Sequence, residues 1–349
     1  MKPVPLFVVG AQGLLAAETL RLASAHPGLG PCFAFSRTPI PDLRAVHPQL
    51  AAPQPVLELS QLSALLTNAL ADGPVGLILA TPHGVSGDLW QQLKGDLLVA
   101  NAALDSLFVV DLSEDHRLYP ALDESDGDQA SSNTWHYGLP ELHAIPQGAK
   151  LTAAAGCFAT AMQLAAVPIH RAGLLAPNTA IILNGVTASS GSGALAKQGT
   201  HHPYRQSNFH PYALNGHRHE KELLHARNFE EPPKVLFLPH SAPLGRGIYL
   251  TAVLSLQQDA GVEQLSDAFQ SAYQDCDFIG LNPSQAPHLR SVIGSNRVEI
   301  GWNFHNGIAQ VFVALDNTLK GGAGQGLQCL NQMLGMPQTL GLPMAGMGY

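Results

Sequence analysis

The chain has 349 residues, of which 46% are hydrophobic and 13% charged, and its formal net charge is −8. This length and composition are typical of a well-buried globular protein built from two domains rather than one. The negative charge and the absence of a Lys/Arg cluster argue against a nucleic-acid partner, and no apolar run approaches the ~18 residues that a membrane-spanning helix requires.

The first half of the chain alternates short apolar runs with segments of helical periodicity. The runs that we predict as strands are residues 5–9, 32–35, 75–80 and 107–110. Helices are predicted between them at residues 15–23, 58–70 and 86–99. Fully apolar strands separated by helices indicate a parallel sheet that is covered on both faces. We therefore predict an α/β fold in which residues 1–152 form a doubly wound, Rossmann-type domain.

The second half of the chain has a different pattern. Strand-like runs occupy residues 181–186, 235–238, 248–256, 298–304 and 308–315. The last two runs flank Asn306-Gly307, a dipeptide that is typical of a tight hairpin. Antiparallel pairing is therefore expected, and residues 153–317 are predicted to form a mixed α+β domain. A helix over residues 321–334 is predicted near the end of the chain.

The segment 10–16, with the sequence GAQGLLA, follows the first predicted strand and precedes the first predicted helix. Gly10 permits a tight turn there. Gly13 lets the backbone approach a pyrophosphate, which the free N–H groups of the helix terminus attract. We expect Gln12 and Leu14 to contact the same cofactor. The alternative interpretation is a strand–helix turn without a ligand.

The second predicted strand ends in Ser36-Arg37. An NAD-binding domain usually presents a carboxylate at this point for the ribose 2′-hydroxyl. A hydroxyl and a guanidinium suit the 2′-phosphate of NADP instead, so the sequence favours NADP as the cofactor. The alternative is a solvated arginine in a loop.

Cys157 precedes an apolar, helix-like run that ends at Pro168. At the amino terminus of a helix the dipole lowers a thiol pKa from ~8.5 toward the physiological range, and the free N–H groups there can bind an oxyanion. These properties suit a catalytic nucleophile. The alternative is a structural cysteine, a description that fits Cys32 and Cys329, whereas the acidic neighbours of Cys276 would raise its pKa.

The four cysteines are far apart in sequence and none lies in a CxxC motif. Neither a disulfide framework nor a structural zinc site is therefore expected, and a reducing compartment is the natural environment. The chain also begins with a predicted strand rather than with a signal peptide. We accordingly predict a cytoplasmic protein.

A thiol nucleophile needs a nearby acid/base, which is usually a histidine. Among the 16 histidines, His217 and His219 stand out because a helix-like segment follows them. On an extended segment both side chains would lie on one face, so periodicity alone does not choose between them. We favour His219 because the helix that it opens would hold it in place. The alternatives are ordinary hydrogen bonding or a metal site, although no carboxylate or cysteine ligand accompanies the pair in the usual spacing.

Further motifs follow in a specific order and spacing. They are TPHGVS at 81–86, DLS at 111–113 with Arg117, YGLPE at 137–141, GCFAT at 156–160, SGSG at 190–193, HRH at 217–219, FLPH at 237–240, RGI at 246–248 and DNTLKG at 316–321. Together with the glycine loop, these segments resemble the N-acetyl-gamma-glutamyl-phosphate reductases, relatives of aspartate-semialdehyde dehydrogenase. The resemblance covers nearly the whole chain.

The resemblance implies an activity and a set of roles. An acyl phosphate would acylate Cys157, NADPH would reduce the thioester to an aldehyde, and His219 would manage the proton. Arg117, His217 and Ser190 would bind the substrate. Gly191 and Asn317 would lie near the nicotinamide. Residues 318–349 would return to complete the nucleotide domain, and the protein would form a homodimer or homotetramer.

The sequence departs from the family pattern at several places. Ala155 stands where the family usually has proline before Gly-Cys, and the glycine loop carries Gln12 and Leu14 instead of serine and an aromatic residue. Ala194-Leu195 replaces the arginine after SGSG, so that Lys197 is the nearest cation. A His-rich stretch at 201–210 is also unusual.

Two alternatives to this function remain open from the sequence. The same chemistry can act on aspartyl phosphate or on a carrier-bound aminoadipyl phosphate. A nucleotide-binding regulatory protein that has lost catalysis is the other possibility, although the presence of both Cys157 and His219 argues against it.

Overall fold

A computed structural model of the protein describes residues 2–118, 134–224, 228–229 and 231–348. These divide into two compact units. The first runs to Ala155 and includes Gly322–Leu342, and the second comprises Gly156–Gly321 with the residues from Pro343 onward. The final residues were expected in the nucleotide domain. They join the second unit because their backbone hydrogen-bonds there, as between Asn296 N and Pro343 O at 2.8 Å.

The helices and strands can be given in chain order. The strands are β1 (Val4–Val9), β2 (Leu29–Ser36), β3 (Val56–Glu58), β4 (Val75–Leu79), β5 (Leu107–Asp111), β6 (Trp135–Gly138), β7 (Leu151–Ala154), β8 (Ala180–Thr187), β9 (His210–Pro211), β10 (Lys234–Ser241), β11 (Ile248–Ser255), β12 (Ile279–Pro283), β13 (Val298–His305) and β14 (Ile308–Leu315). The helices are α1 (Leu14–Ala23), α2 (Leu62–Ala71), α3 (Ser86–Val99), α4 (Cys157–Arg171), α5 (His202–Arg205), α6 (Arg218–Leu223), α7 (Val262–Tyr273) and α8 (Gly324–Met333). Within the described residues, no helix is long and apolar enough to cross a membrane.

The sheet of the first unit has the order β3-β2-β1-β4-β5-β7-β6, and its neighbouring strands are parallel. Every residue of β4 and β5 is buried, as the apolar runs predicted. Helices α2 and α3 cover one face with a core that includes Phe7, Leu66 and Trp90. Helix α8 packs against β5 and β7. The predicted Rossmann-type sheet is therefore confirmed.

The strand order reverses between β1 and β4, where ligands bind in doubly wound sheets. Gly10 directly follows β1 at this point and has a φ of +89°. A Cβ at Gly10 would lie 2.3 Å from the carbonyl oxygen of Ala80, which follows β4. Only glycine can therefore occupy this position, because any other residue would strain the backbone and clash with it.

The second unit is built on a mixed sheet with the order β12-β13-β14-β11-β8-β10-β9. The strands β13 and β14 pair antiparallel across Asn306 and Gly307, which adopt φ angles of +48° and +76°. These left-handed conformations are those of a two-residue hairpin turn, so the predicted hairpin is confirmed.

Helix α4 crosses one face of this sheet and is buried along most of its length. It was expected to end at Pro168 but continues to Arg171. Proline has no N–H for the carbonyl four residues earlier, which here belongs to Leu164. The hydroxyl of Tyr273 donates a hydrogen bond to that carbonyl at 2.9 Å, and the partner that the helix lost is thereby replaced from α7.

The opposite face of the same sheet is open within the second unit. Along β11 the residues alternate between buried and half-buried, because only one face carries helices. Ile182, Leu236 and Ile308 are 37%, 48% and 39% exposed on this face. An apolar sheet face of this kind is typical of a surface that another protein chain covers.

Candidate active site

Cys157 is the first residue of α4 and is half-buried. Gly156 precedes it as the N-cap in an extended conformation, with a φ of −67° and a ψ of 152°. Glycine supplies no capping side chain of its own, and the thiol lies at the positive end of the helix dipole. The structure thus has Cys157 at the amino terminus of a helix, as predicted.

A second stretch of chain passes directly beside the thiol. The segment Leu319–Ala323 forms one π-helical turn before α8. A Cβ added at Gly321 would lie 2.7 Å from the Cβ of Cys157, and the N–H of Gly321 donates to the carbonyl of Asp316 at 2.9 Å. Glycine is thus required at this position for the backbone to approach the nucleophile.

The second unit contains a cavity of about 350 Å³ at Cys157. Its lining brings together distant segments of the chain: Cys157, Phe158, Thr187, Gly191, Ser192, Lys197, Gly199, Thr200, His210, Tyr212, His217, Arg218, His219 and Ser241. The cavity therefore contains both predicted histidines. Sequence reasoning had assigned no role to Lys197, Arg218 or Tyr212.

The two histidines lie at the start of α6, and their rings are 4.7 Å apart. The helix begins at Arg218, two residues earlier than predicted, so that His217 rather than His219 caps it. The Nδ1 atom of His217 accepts a hydrogen bond from the N–H of His219 at 3.2 Å. The N–H of His217 donates to Glu220 at 2.6 Å, which completes a capping box.

The protonation state of His217 follows from this environment. Burial lowers its pKa to about 4, and the positive charge of Arg218 acts in the same direction. The imidazole is accordingly neutral at pH 7, as its role as a hydrogen-bond acceptor requires. An acid/base that works near neutral pH needs a pKa close to the operating pH, and the low pKa of His217 argues against that role for His217.

Glu222 is a site residue that the sequence did not reveal. Its carboxylate is buried, and Oε2 accepts a hydrogen bond from the N–H of Gly156 at 2.9 Å. Its other oxygen lies 3.9 Å from Nε2 of His219. One carboxylate thereby contacts the cap of the nucleophile helix and also faces the second predicted catalytic residue.

The end of α6 is fixed to α4 by an amide. Nδ2 of Asn228 donates to the carbonyls of Glu222 and Leu223 at 3.1 and 2.9 Å, and to the side chain of Gln163 at 3.0 Å. Since Gln163 lies on α4, these hydrogen bonds hold the last residues of α6 against α4.

Tyr212 has its phenol in the same cavity, and its ring centroid is 5.9 Å from that of His217. Burial raises the pKa of Tyr212, and the negative charge of a Cys157 thiolate raises it further, while Arg218 opposes both. The hydroxyl therefore stays protonated at neutral pH and is available as a hydrogen-bond donor near the nucleophile.

The SGSG loop is held by Asn317. The side chains of Ser190 and Asn317 are hydrogen-bonded at 3.0 Å, and Oδ1 of Asn317 accepts from the N–H of Gly247 at 2.6 Å. Gly191 lines the cavity, whereas Ser190 and Asn317 fix the loop behind it. The predicted contacts of these residues with substrate and cofactor remain predictions.

Arg117 lies in the first unit and is buried. Its Nε donates to the carbonyl of Ala154 at 2.8 Å, and Nη2 donates to that of Leu112 at 2.9 Å. The guanidinium thus ties the ends of β5 and β7 together. Its predicted role in binding an anionic group of the substrate remains a prediction.

Two helix amino termini flank the switch point of the first sheet, and they differ in charge. Gly13 caps α1 without a side chain, and no acidic residue lies in the first turn. At α3 the carboxylate of Asp115 accepts from the N–H groups of Gly84 and Gly87 at 2.7 and 3.1 Å. Because Asp115 already occupies the end of α3, α1 is the better site for a pyrophosphate.

The loop after β2 contacts the glycine loop. Nε2 of Gln12 donates to the carbonyl of Thr38 at 2.8 Å, and the hydroxyl of Ser36 accepts from the N–H of Thr38 at 3.3 Å. Arg37 is exposed, and Leu14 is the first residue of α1. The predicted cofactor residues of the first unit therefore lie on two loops that are joined by a hydrogen bond.

Comparison with known proteins adds to these observations. The sequence profile of the semialdehyde dehydrogenase dimerisation domain matches residues 157–317. The N-acetyl-gamma-glutamyl-phosphate reductase of Micrococcus luteus is 35% identical over 350 residues, which cover 97% of this chain and 97% of that protein. The enzyme of the same name from Streptomyces avermitilis is 34% identical and covers 98% of each chain.

Solved structures show the same fold at lower identity. Aspartate semialdehyde dehydrogenase II of Vibrio cholerae has a TM-score of 0.68 at 15% identity, over 95% of this chain and 99% of that chain. Aspartate semialdehyde dehydrogenase of Candida albicans, solved with NADP, has a TM-score of 0.62 at 14% identity, over 95% and 98%.

The low pKa of His217 predicts a pH dependence of stability. The folded-state pKa is about 4, against an ordinary value of 6.5, so between these values the unfolded chain binds a proton that the folded chain excludes. Unfolding free energy should fall as the pH decreases from 6.5 to 4, by on the order of 1 kcal/mol at pH 5.5. Asparagine also caps helices, so His217→Asn should lose this part of the slope in urea titrations.

The exposed hairpin residue His305 provides the control for that experiment, since His305→Asn should keep the wild-type slope. An undiminished slope in His217→Asn would show that another group causes the acid sensitivity.

Replacement of Glu222 tests whether its negative charge beside His219 matters for catalysis. The amide oxygen of Glu222→Gln can still accept from Gly156, but the negative charge that faces His219 is lost. We expect kcat to fall about 10- to 100-fold, because the carboxylate that faces His219 becomes a neutral amide. The control is Glu220→Gln, which should retain the rate. An unchanged kcat in Glu222→Gln would contradict a role for its charge.

Proposed function

Since the chain belongs to the N-acetyl-gamma-glutamyl-phosphate reductase family, we propose that it reduces N-acetyl-gamma-glutamyl phosphate to N-acetylglutamate semialdehyde, a step of arginine biosynthesis, with NADPH as the reductant. The observation that carries the proposal is the position of Cys157 at the amino terminus of α4, in one cavity with His219. A thiol at a helix terminus beside a histidine is suited to covalent capture of an acyl group.

The reaction proceeds through an acyl enzyme. The thiolate of Cys157 attacks the acyl-phosphate carbonyl, the C–S bond forms, and the C–O bond to phosphate breaks with its electron pair. A bound nicotinamide supplies the hydride. His219 protonates the oxygen of the resulting thiohemiacetal and takes that proton back as the C–S bond breaks, which releases the aldehyde and restores the thiolate. Tyr212 donates a hydrogen bond toward the developing oxyanion.

The charges of the cavity lining favour an acyl phosphate whose α-amine is acetylated. Among the described residues that line it there is no aspartate or glutamate, whereas Lys197 and Arg218 are cations. Aspartyl phosphate carries a free ammonium group, which is costly to bury without an anionic or carbonyl partner. N-acetylation removes that charge and leaves a ligand with two anionic groups. The volume of about 350 Å³ is that of a small-molecule site.

The first unit fits NADP. Gly10 lets the glycine loop pass tightly against the backbone at Ala80, and the uncapped end of α1 attracts the pyrophosphate. Ser36 and Arg37 at the end of β2 offer a hydroxyl and a guanidinium to the 2′-phosphate. Gln12 and Leu14 complete the binding loop.

The open face of the second sheet supports self-association. The matched family profile is that of a dimerisation domain, and the apolar side chains exposed on this face lie within it. Two copies that pack face to face would bury Ile182, Leu236 and Ile308. The assembly is therefore at least a homodimer.

The function is tested in the reverse direction with purified protein. N-acetylglutamate semialdehyde, phosphate and NADP should give NADPH at 340 nm, and omission of phosphate should abolish turnover. Cys157→Ser should retain less than about a thousandth of the rate, because a serine alkoxide forms far less readily at neutral pH. Its unchanged binding of NADPH would show that the variant is folded. A variant with more than a tenth of the wild-type rate would rule out covalent catalysis at Cys157.

The cofactor preference is tested at Arg37. Loss of a charged hydrogen bond to the 2′-phosphate should weaken NADP binding about 10- to 100-fold in Arg37→Ala, with little effect on NAD. Arg44→Ala is the matched control, because that nearby guanidinium is already paired with Asp42 at 2.6 Å. Equal losses for the two cofactors in Arg37→Ala would overturn the assignment.

A further inference from the structure

The cavity at Cys157 is lined by two side chains that carry a permanent positive charge, Lys197 and Arg218. The substrate of the proposed function also carries two anionic groups, a phosphate at one end and a free carboxylate at the other. Between them lies a chain of three carbon atoms and the reacting carbonyl. The two charges of the ligand are therefore separated, and each needs its own partner when it leaves water.

Arg218 stands between His217 and His219 at the start of α6 and lines the same cavity as Cys157. Its positive charge also lowers the pKa of His217. The phosphate is bonded to the carbon that Cys157 attacks, so it must also lie close to Cys157. A guanidinium is suited to phosphate because its N–H groups match two oxygens at once. The phosphate therefore belongs beside Arg218.

Lys197 enters the cavity from a different part of the chain. It starts a tight turn over Gln198–Thr200, in which its carbonyl accepts from the hydroxyl of Thr200 at 3.0 Å and from the N–H of His201 at 3.0 Å. Thr200 lines the cavity beside it. The turn gives Lys197 a defined backbone position, from which its flexible side chain extends.

Arg205 anchors the segment that carries this turn. Its guanidinium is buried and donates to the hydroxyls of Ser189 and Ser241 at 2.8 and 2.6 Å, and also to the carbonyl of Ala242. Ser241 is itself part of the cavity lining. The segment that contains Lys197 and Thr200 is thus fixed to the end of β10, and the exposed Lys197 lies where this segment lines the cavity.

We propose that the ammonium group of Lys197 forms the subsite for the free α-carboxylate of the substrate. This inference rests on the proposed function and adds to it the residue that selects a carboxylated acyl chain. With no acidic side chain among the described lining residues, the ammonium group has no competing anion within the cavity wall. The subsite distinguishes N-acetylglutamyl phosphate from an acyl phosphate of the same length that lacks the carboxylate.

A truncated substrate tests the subsite directly. The reverse reaction is measured with N-acetylglutamate semialdehyde and with 4-acetamidobutanal, which is the same molecule without the α-carboxylate. The wild type should favour the carboxylated aldehyde in kcat/KM by about 10- to 100-fold. Lys197→Met should lose that factor for the carboxylated aldehyde and leave kcat/KM for the truncated one unchanged. Lys197→Arg should restore part of the preference.

The matched control is Lys221→Met, an exposed cation on α6 outside the cavity lining, which should keep the wild-type ratio. The proposal is overturned if Lys197→Met slows both aldehydes equally, which would indicate a structural role. It is also overturned if the ratio persists while the KM for phosphate rises, which would place the phosphate at Lys197.

If the proposed function is wrong, the wild-type protein will instead be inactive with both aldehydes. The subsite is then measured by calorimetry with N-acetylglutamate and 4-acetamidobutyrate, which differ only in the α-carboxylate. A wild-type preference for N-acetylglutamate that Lys197→Met removes would support the subsite, and equal binding of the two compounds would reject it.

Discussion

The positions of the groups in the candidate site depend on the contacts of the Glu222 carboxylate. A buried carboxylate is costly unless polar groups surround it, and here these groups are parts of the site itself: the N–H of Gly156 donates to it, and Nε2 of His219 lies 3.9 Å away. The one carboxylate thereby joins the cap of the helix that carries Cys157 to the histidine on α6.

Burial determines the protonation states of two other groups that line the cavity. His217 remains neutral because its pKa is low, and Tyr212 remains protonated because its pKa is high. Neither adds a charge at neutral pH. The permanent charge of the cavity lining is therefore positive, from Lys197 and Arg218, and it matches a doubly anionic ligand that is held in a space of limited volume.

The parts of the fold that the sequence predicted are those with long apolar or periodic runs. The central strands, the helix at Ser86–Val99 and the Asn306-Gly307 hairpin follow from period and turn chemistry alone. The strand β3 has three residues, and β6 and β7 have four each, so they carry too little pattern to be recognised. Helix α7 was overlooked although its apolar residues recur at helical spacing.

The residues of the candidate site likewise fall into those that the sequence predicted and those that it did not. Cys157 and the histidine pair were found because a helix start and a short motif identify each of them locally. Glu222 was not found, since its contact with Gly156 joins residues 66 positions apart in the chain and only the folded sheet brings them together. Its place three residues after His219 was the one available signal, because residues at that spacing share a helix face. The same holds for Lys197, whose position in the cavity depends on the anchoring of its segment by Arg205.

The close passage of Gly321 past Cys157 also determines how reagents reach the sulfur. Backbone closes one flank of the nucleophile, while the cavity lies against another. A ligand in the cavity should therefore slow the reaction of the thiol with an oxidant or an alkylating reagent, and the rate of that reaction can report ligand binding.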